Sequence, residues 1–282
     1  MKIAIIYIGI GRSTVFWDEF YKSCEKNFIR NAQKHYFYFT DSKEYKSDDK
    51  ITIIPQENLG WPLVTCLRYK FINTIKDSLK NYDYIFFFNG NYEVYSKVTA
   101  EEFLPTDEDG GLIALKHNYN KYKKPDDFPW ERNPKSTSYI PYGTDSFYYQ
   151  ACLWGGKTSQ VLKLVEDCEK MMDEDLANDI VPIFHDESLF NKYMLDKKHK
   201  TLGYEYGFVP EGKPFWKYFG VKMTQRPKSW KYGGVDWLRG LTDKKQTLFS
   251  YILEKFWKNE KDNFFQYAIF FHFIHKTILF RF

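Results

Sequence analysis

The sequence predicts an α/β protein: a mainly parallel, mixed sheet in a single domain, flanked by helices and followed by amphipathic C-terminal helices. Two observations carry this. Apolar runs of strand length alternate with runs of helical spacing, the pattern of strand–helix–strand units. Short glycine or amide turns directly follow two of the strands, at Gly9–Arg12 and Asn89–Asn91. In open sheets of this kind ligands lie beyond the carboxyl ends of the strands.

Residues 2–8 read as a buried strand. A helix is expected after the glycine turn, with Ser13 or Thr14 as N-cap. Phe16, Trp17, Phe20, Tyr21, Cys24 and Phe28 recur there at threes and fours. His35–Thr40 and Lys50–Pro55 are the next strands, the first closed by the turn residues Asp41 and Ser42. Thr65–Leu79 reads as one helix and Tyr82–Phe88 as the strongest strand. Residues 105–145, rich in Pro, Gly, Asp, Asn and Tyr, are expected to form long loops over the cleft. Ser159–Met172 and 186–195 read as helices, the second preceded by a strand-like Ile180–Phe184.

A chain of 282 residues can bury one large core. A net charge of only +4 argues against a general nucleic-acid binder. Cys24, Cys66, Cys152 and Cys168 are widely spaced, without a CxxC pair, which suits a reducing compartment. The apolar start is short and lacks a small-residue cleavage site, so it reads as a strand rather than a leader. A cytoplasmic location is therefore expected.

Beyond residue 241 the texture changes, dividing a catalytic region, 1–240, from a basic, aromatic tail, 241–282. Gln246–Lys258 gathers Leu248, Phe249, Ile252, Leu253 and Phe256 on one face, and Phe264–Phe282 contains no acid. A membrane span needs roughly 20 mostly apolar residues. This last stretch is marginal in length and carries His272, His275, Lys276 and Arg281. A helix lying in the headgroup plane is the expectation, giving peripheral contact with the inner face of the cell membrane through 246–282. Packing of the tail on the protein's own core is the alternative.

Two motifs carry chemistry. Tyr84–Phe88 runs straight into Asn89-Gly90-Asn91, two amides where transferases that use sugar nucleotides often present metal-binding acids. His185-Asp186-Glu187-Ser188 supplies adjacent carboxylates. One can attack or stabilise an oxocarbenium-like centre, and its neighbour can hold sugar hydroxyls. The same pair also suits a helix start, with Asp186 as N-cap and Glu187 in the first turn. Lys222, Arg226, Lys228, Lys231 and Arg239 surround Tyr232-Gly233-Gly234. They would offset a leaving diphosphate in place of a metal, or simply form a solvated basic face.

Several motifs occur in one order: Gly60-Trp61-Pro62 with Arg68, Phe88-Asn89-Gly90-Asn91, Glu131-Arg132-Asn133-Pro134, Tyr139-Ile140-Pro141, Phe147-Tyr148-Tyr149 with Trp154-Gly155-Gly156, and Phe184 to Ser188 with Asn191-Lys192-Tyr193. Over roughly residues 1–240 this series resembles the family 6 glycosyltransferases, which include the histo-blood-group A and B transferases and the α-1,3-galactosyltransferases. It is most similar to the bacterial branch, which carries Asn-x-Asn where animal members have Asp-x-Asp.

The resemblance implies a GT-A-type fold and retaining α-1,3 transfer of galactose or N-acetylgalactosamine from a UDP-sugar donor. The acceptor would be a galactose-terminated, in many bacteria fucosylated, oligosaccharide or lipid-linked glycan in surface lipopolysaccharide synthesis. No metal cofactor is expected, although amide oxygens ligating Mg²⁺ or Mn²⁺ is an alternative. A catalytically inactive sugar-nucleotide or glycan binder of the same fold is another.

Carried over by position, Glu187 would be the nucleophile or stabiliser and Asp186 would hold the transferred sugar's hydroxyls. Ile8, Ile10 and Ser13 would border the uracil pocket, Ser13 standing where many relatives have a stacking tyrosine. Arg68 would reach the donor sugar and diphosphate, and Asn89 and Asn91 would hydrogen-bond the donor. Gln150 and Cys152 fall at the two positions that set galactose against N-acetylgalactosamine. Cysteine, larger than glycine or alanine, leans toward galactose. Lys228, Lys231 and Arg239 match the basic segment that closes over the diphosphate. His117, Phe184 and His185 would meet the acceptor, and Pro129 replaces an acceptor-binding threonine of animal relatives.

Overall fold

The computed structural model describes residues 1–259 except 118, 119, 121, 211 and 212. The tail segment 264–282 lies outside the described residues. The chain divides into two compact units, Met1–Pro227 and Lys228–Phe282.

In the first unit, β1 (Lys2–Ile8), β2 (Gln33–Thr40), β3 (Ile51–Pro55) and β4 (Tyr84–Phe88) are mutually parallel. A short β5 (Tyr92–Val94) follows, then β6 (Leu112–Lys116), β7 (Tyr149–Lys157), β8 (Lys200–Leu202) and β9 (Met223–Gln225). Among the described residues, seven strands form one sheet in the order β3-β2-β1-β4-β7-β6-β8, and β5 pairs with β9. Only β7 runs against its neighbours in that sheet. The mixed, mainly parallel sheet with helices on both faces is the architecture the alternation predicts.

The central strands are apolar on both faces because both faces are covered. Helix α1 (Trp17–Asn27) lays Trp17, Phe20 and Cys24 on one side of β1. The opposite face carries a run that reads in sequence as one helix over Thr65–Leu79 but folds as three: α2 (Leu63–Cys66), α3 (Arg68–Asn73) and α4 (Lys76–Leu79). The breaks fall at Leu67 (φ −90°, ψ 13°) and Ile75 (φ −110°, ψ 14°). Within α3 alone Tyr69, Phe71 and Ile72 are all buried, so this short segment is covered on more than one side. Next come α5 (Ala100–Phe103), closed by a Thr99/Glu102 capping box, then α6 (Thr158–Ala177) and α7 (Asp186–Met194). The last two pack on the same core as α3.

Other local readings are corrected. Residues Gly11–Phe16 form a 3₁₀ turn ahead of α1, and Ser13 Oγ donates back to Ile10 O at 2.7 Å instead of capping the helix. The stretch 105–145 is not all loop: it contains the buried β6, bracketed by the turn-like Gly110-Gly111 that disguised it. Strand β7 has no sequence signal of its own because Gly155-Gly156 lowers strand propensity. The glycines are nonetheless required. Their φ angles are 156° and 146°, and a Cβ would collide with Ile85 O at the first and Gly111 O at the second. Residues Ile180–Phe184 form no strand. Val181 and Ile183 are exposed, Pro182 interrupts, and the Ile183 amide donates to the Glu131 carboxylate at 2.7 Å.

The second unit holds a 3₁₀ turn at Trp230–Tyr232, α8 (Val235–Leu238) and α9 (Leu248–Asn259). The Gln246 amide donates to Gly233 O at 2.8 Å, and its side chain donates to Glu254 at 2.8 Å. Leu248, Phe249 and Leu253 are exposed on α9. Among the described residues no helix is long and apolar enough to cross a membrane.

Candidate active site

Strand β7 is the platform of the site. Its register against β6 jumps from Trp154 opposite Ala114 to Gln150 opposite Leu115, a bulge that leaves residues 151–153 unopposed. Side chains take up the polar groups of Ala151. Its amide donates to Glu187 Oε2 at 2.9 Å, and its carbonyl accepts from Arg68 Nη1 at 3.1 Å. The second Glu187 oxygen accepts from the Tyr148 hydroxyl at 2.8 Å. Burial pushes the Tyr148 phenol well above its usual range, so it remains a donor.

Helix α7 delivers the acids. His185 occupies its cap position at φ 53°, ψ −124°, without a side-chain cap bond. That backbone conformation is costly for a side-chain-bearing residue, and it turns Asp186 and Glu187 inward. Asn191, a helical turn after Glu187, is buried and exchanges hydrogen bonds with the Tyr149 main chain at 2.9 and 2.7 Å. This fixes α7 on β7. The pair is therefore no simple helix cap: the Asp186 carboxylate is buried and ion-paired with Arg68. The Arg68 guanidinium lies 4.4 Å from the centroid of the Phe87 ring, and its buried Nε has no hydrogen-bond partner.

Burial raises the Glu187 carboxyl to about 7, against the opposing effect of the Ala151 amide and the Tyr148 hydroxyl. The adjacent Asp186 charge adds to the rise. Burial likewise raises Asp186 to about 6, with Arg68 pulling the other way. Two neighbouring carboxylates thus have depressed acidity, a common property of groups set up for catalysis.

The amide turn borders the same platform. The Asn89 amide donates to Cys152 O at 2.8 Å, one residue from Ala151. Asn89 Nδ2 donates to Asn91 Oδ1 at 3.1 Å, and Asn91 Nδ2 to Arg226 O at 2.8 Å. The Tyr7 hydroxyl donates to Gly90 O at 3.0 Å, joining this turn to the end of β1. There Ile8 and Ile10 flank Gly9, and Asp41 accepts from the Gly11 amide at 2.8 Å. Ile8, Ile10 and Ser13 therefore lie at the carboxyl edge beside Asn89–Asn91. On the other side, Gln150 and Cys152 continue β7 into a polar cluster: the Cys152 thiol donates to Gln150 Oε1 at 2.9 Å, and Gln150 Nε2 to Lys116 O at 3.1 Å.

The His117 amide donates to Tyr148 O at 2.9 Å, and the two rings meet edge-on with centroids 5.4 Å apart. Burial brings its imidazole down to about 4, so it is neutral. Phe184 is exposed, and His185 meets Trp61 edge-on at 5.5 Å. Lys222 and Arg226 are both ion-paired. Lys222 pairs with Glu102 at 2.9 Å, and Arg226 with Glu19 at 3.0 Å and Glu93 at 3.4 Å. Lys228, Lys231 and Arg239 belong to the second unit.

The contacts of Tyr148, Asn191 and Gln225 have no signal in the sequence. Tyr148 stands in a quoted motif, but its bond to Glu187 depends on where α7 docks. Among the described residues no group of three or more His, Cys, Asp or Glu is placed to hold a metal ion.

A mixed, mainly parallel sheet flanked by helices is consistent with the fold of a glycosyltransferase. Residues 1–229 match glycosyltransferase family 6, and the chain belongs to that family. It is 34% identical over 240 residues to the O-antigen biosynthesis glycosyltransferase WbnI of Escherichia coli, covering 83% of this chain and 99% of that protein. It is 26% identical over 216 residues to the globoside alpha-1,3-N-acetylgalactosaminyltransferase 1 of Gallus gallus, covering 73% of this chain and 61% of that one. The histo-blood group ABO system transferase 1 of Rattus norvegicus is 28% identical over 213 residues, covering 72% and 60%. The chain thus spans about three fifths of these animal relatives' length.

Proposed function

We propose that the protein moves galactose or N-acetylgalactosamine from a UDP-sugar to a galactose-terminated oligosaccharide in α-1,3 linkage, with retention and without a divalent metal. The observation that carries this is the doubly bonded Glu187. Both its oxygens are held, by Ala151 N at 2.9 Å and Tyr148 at 2.8 Å, and its pKa lies near 7. A fixed, relatively basic carboxylate suits attack on, or stabilisation of, an anomeric centre as its bond to the diphosphate oxygen breaks. The electron pair leaves with UDP. The acceptor hydroxyl then bonds to the face that UDP left, releasing Glu187 as a carboxylate where it has bonded to the anomeric carbon, and gives its proton to the departing phosphate.

In this reading Asp186, fixed by Arg68, takes sugar hydroxyls, and the Arg68 charge lies beside them. What supports metal independence is the donor chemistry of the amide turn. Asn89 and Asn91 are neutral and bonded to one another, and Asn91 is also tied to Arg226 O. Hard cations prefer carboxylates. Charge neutralisation then falls to Arg68 and to the expected cations Lys228, Lys231 and Arg239. A role in O-antigen-type surface glycan synthesis is proposed by analogy with the bacterial relative, and peripheral contact with the inner membrane face is proposed from the basic, aromatic tail.

The test incubates purified protein with UDP-galactose or UDP-N-acetylgalactosamine and lactose or 2′-fucosyllactose, and reads product mass and anomeric configuration. An α-linked hexosyl product is expected. A β-linked product, or UDP-sugar binding without transfer to any galactosyl acceptor, overturns the reading.

A further inference from the structure

Strand β9 brings Gln225 against the polar cluster that continues the β7 platform. Gln225 Nε2 donates to Gln150 Oε1 at 2.7 Å, and lies 3.4 Å from both Cys152 Sγ and Gly207 O. Gln150 is thereby committed on both sides. Its oxygen takes the Cys152 thiol and Gln225, and its nitrogen goes to Lys116 O. The Tyr92 hydroxyl, buried behind them, reaches the same sulfur at 3.4 Å. A Cβ at Gly207 would lie 3.1 Å from Gln150 Nε2, so the glycine there is what lets the amide sit in this arrangement.

The cluster sits between the two halves of the site. Cys152 O accepts from the Asn89 amide, Ala151 between Gln150 and Cys152 binds Glu187 and Arg68, and the residue after Gln225 bonds through its amide to Asn91 O at 2.7 Å. A sugar spanning from the amide turn to Glu187 crosses this cluster.

We propose that Gln225 is a specificity-determining positioning residue: it holds Gln150 and Cys152 in one arrangement and so sets which substituent the donor sugar carries at C2, hydroxyl or acetamide. This rests on the reading of Gln150 and Cys152 as donor-facing. Gln225 acts through them. A hydroxyl leaves the cluster closed, whereas an acetamide needs the Gln150 and Cys152 side chains to yield, which the Gln225 bond opposes. Removing a hydrogen bond of this kind changes discrimination by roughly five- to tenfold.

The experiment measures kcat/KM for UDP-galactose and UDP-N-acetylgalactosamine with wild type, Gln225→Leu, Gln225→Glu and Cys152→Gly. Glu is isosteric and turns the donated bond into repulsion, so it serves if the leucine variant does not fold. The expected result is a galactose-to-N-acetylgalactosamine ratio that moves toward N-acetylgalactosamine by about five- to tenfold in a Gln225 variant and also moves in Cys152→Gly. A purely structural role would lower both values together and leave the ratio fixed. If Cys152→Gly shifts the ratio and neither Gln225 variant does, the inference is overturned while the donor-site reading stands. If no variant shifts it, the donor-site reading fails and takes the inference with it.

Discussion

The Tyr148 hydroxyl donates to Glu187 Oε1 at 2.8 Å, from a residue that precedes β7 onto the first residues of α7. The bond stabilises the ionised carboxylate and fixes its direction. Tyr148→Phe should therefore lower kcat roughly tenfold, the order expected for one hydrogen bond to a charged group. Without that donor the Glu187 pKa rises further, so the acid limb of the rate profile moves to higher pH. Initial rates between pH 5 and 9 check both effects.

Glu187 also makes stability depend on pH. Its folded pKa of about 7 lies above the ordinary glutamate value of 4.5, so the native state holds this proton more tightly than the unfolded chain. That contribution is fully present below about pH 4.5 and is lost as pH rises through about 7. Glu187→Gln removes the dependence and the burial of a charge. Its melting temperature should exceed that of wild type by more at pH 8 than at pH 5, while transfer falls by at least about 100-fold. Thermal unfolding at the two pH values, with rates alongside, decides it.

Arg68 and Asp186 should be coupled. Arg68→Met leaves a buried carboxylate without its cation, at a cost of about 3–5 kcal/mol. Asp186→Asn in the same chain removes that charge, so the double variant should be more stable than Arg68→Met alone. Denaturant unfolding of the four forms measures the coupling. Additive losses would show that the pair does not interact energetically.

Asn91 is buried, and its amide donates to Arg226 O. Asn91→Asp sets a carboxylate against that carbonyl, which should cost about 1–3 kcal/mol and lower the rate without added metal. A carboxylate at the turn also creates a hard-cation ligand. Mn²⁺ should therefore recover part of the rate in the variant and none in wild type, as a manganese titration would read.

The sheet strands β1 to β4 were legible because each contains an apolar run of strand length and each ends at a turn residue. Asn89–Asn91 stood out in the sequence as polar residues placed where an apolar strand stops, and the structure puts them at the end of β4. Strand β7 was not, since its glycines answer a close approach to Ile85 and Gly111 that only tertiary structure reveals. Val181 and Ile183 misled: they are apolar yet exposed, and their segment is set by Glu131 accepting from Ile183 N rather than by a strand partner. Lys222 and Arg226 read as a basic cluster with Lys228 onward, but their acids, Glu102 for Lys222 and Glu19 and Glu93 for Arg226, all lie more than a hundred positions away in the chain. Tyr148 and Gln225 gain their roles from docking across elements, for which spacing carries no signal.

The most direct test is the rate of hexose transfer by protein dialysed against EDTA, for wild type and Glu187→Gln. Wild type should retain essentially its full rate under chelation, and the variant should transfer nothing measurable. A wild-type rate abolished by EDTA and restored by Mn²⁺, or a Glu187→Gln variant that transfers as wild type does, would contradict this expectation.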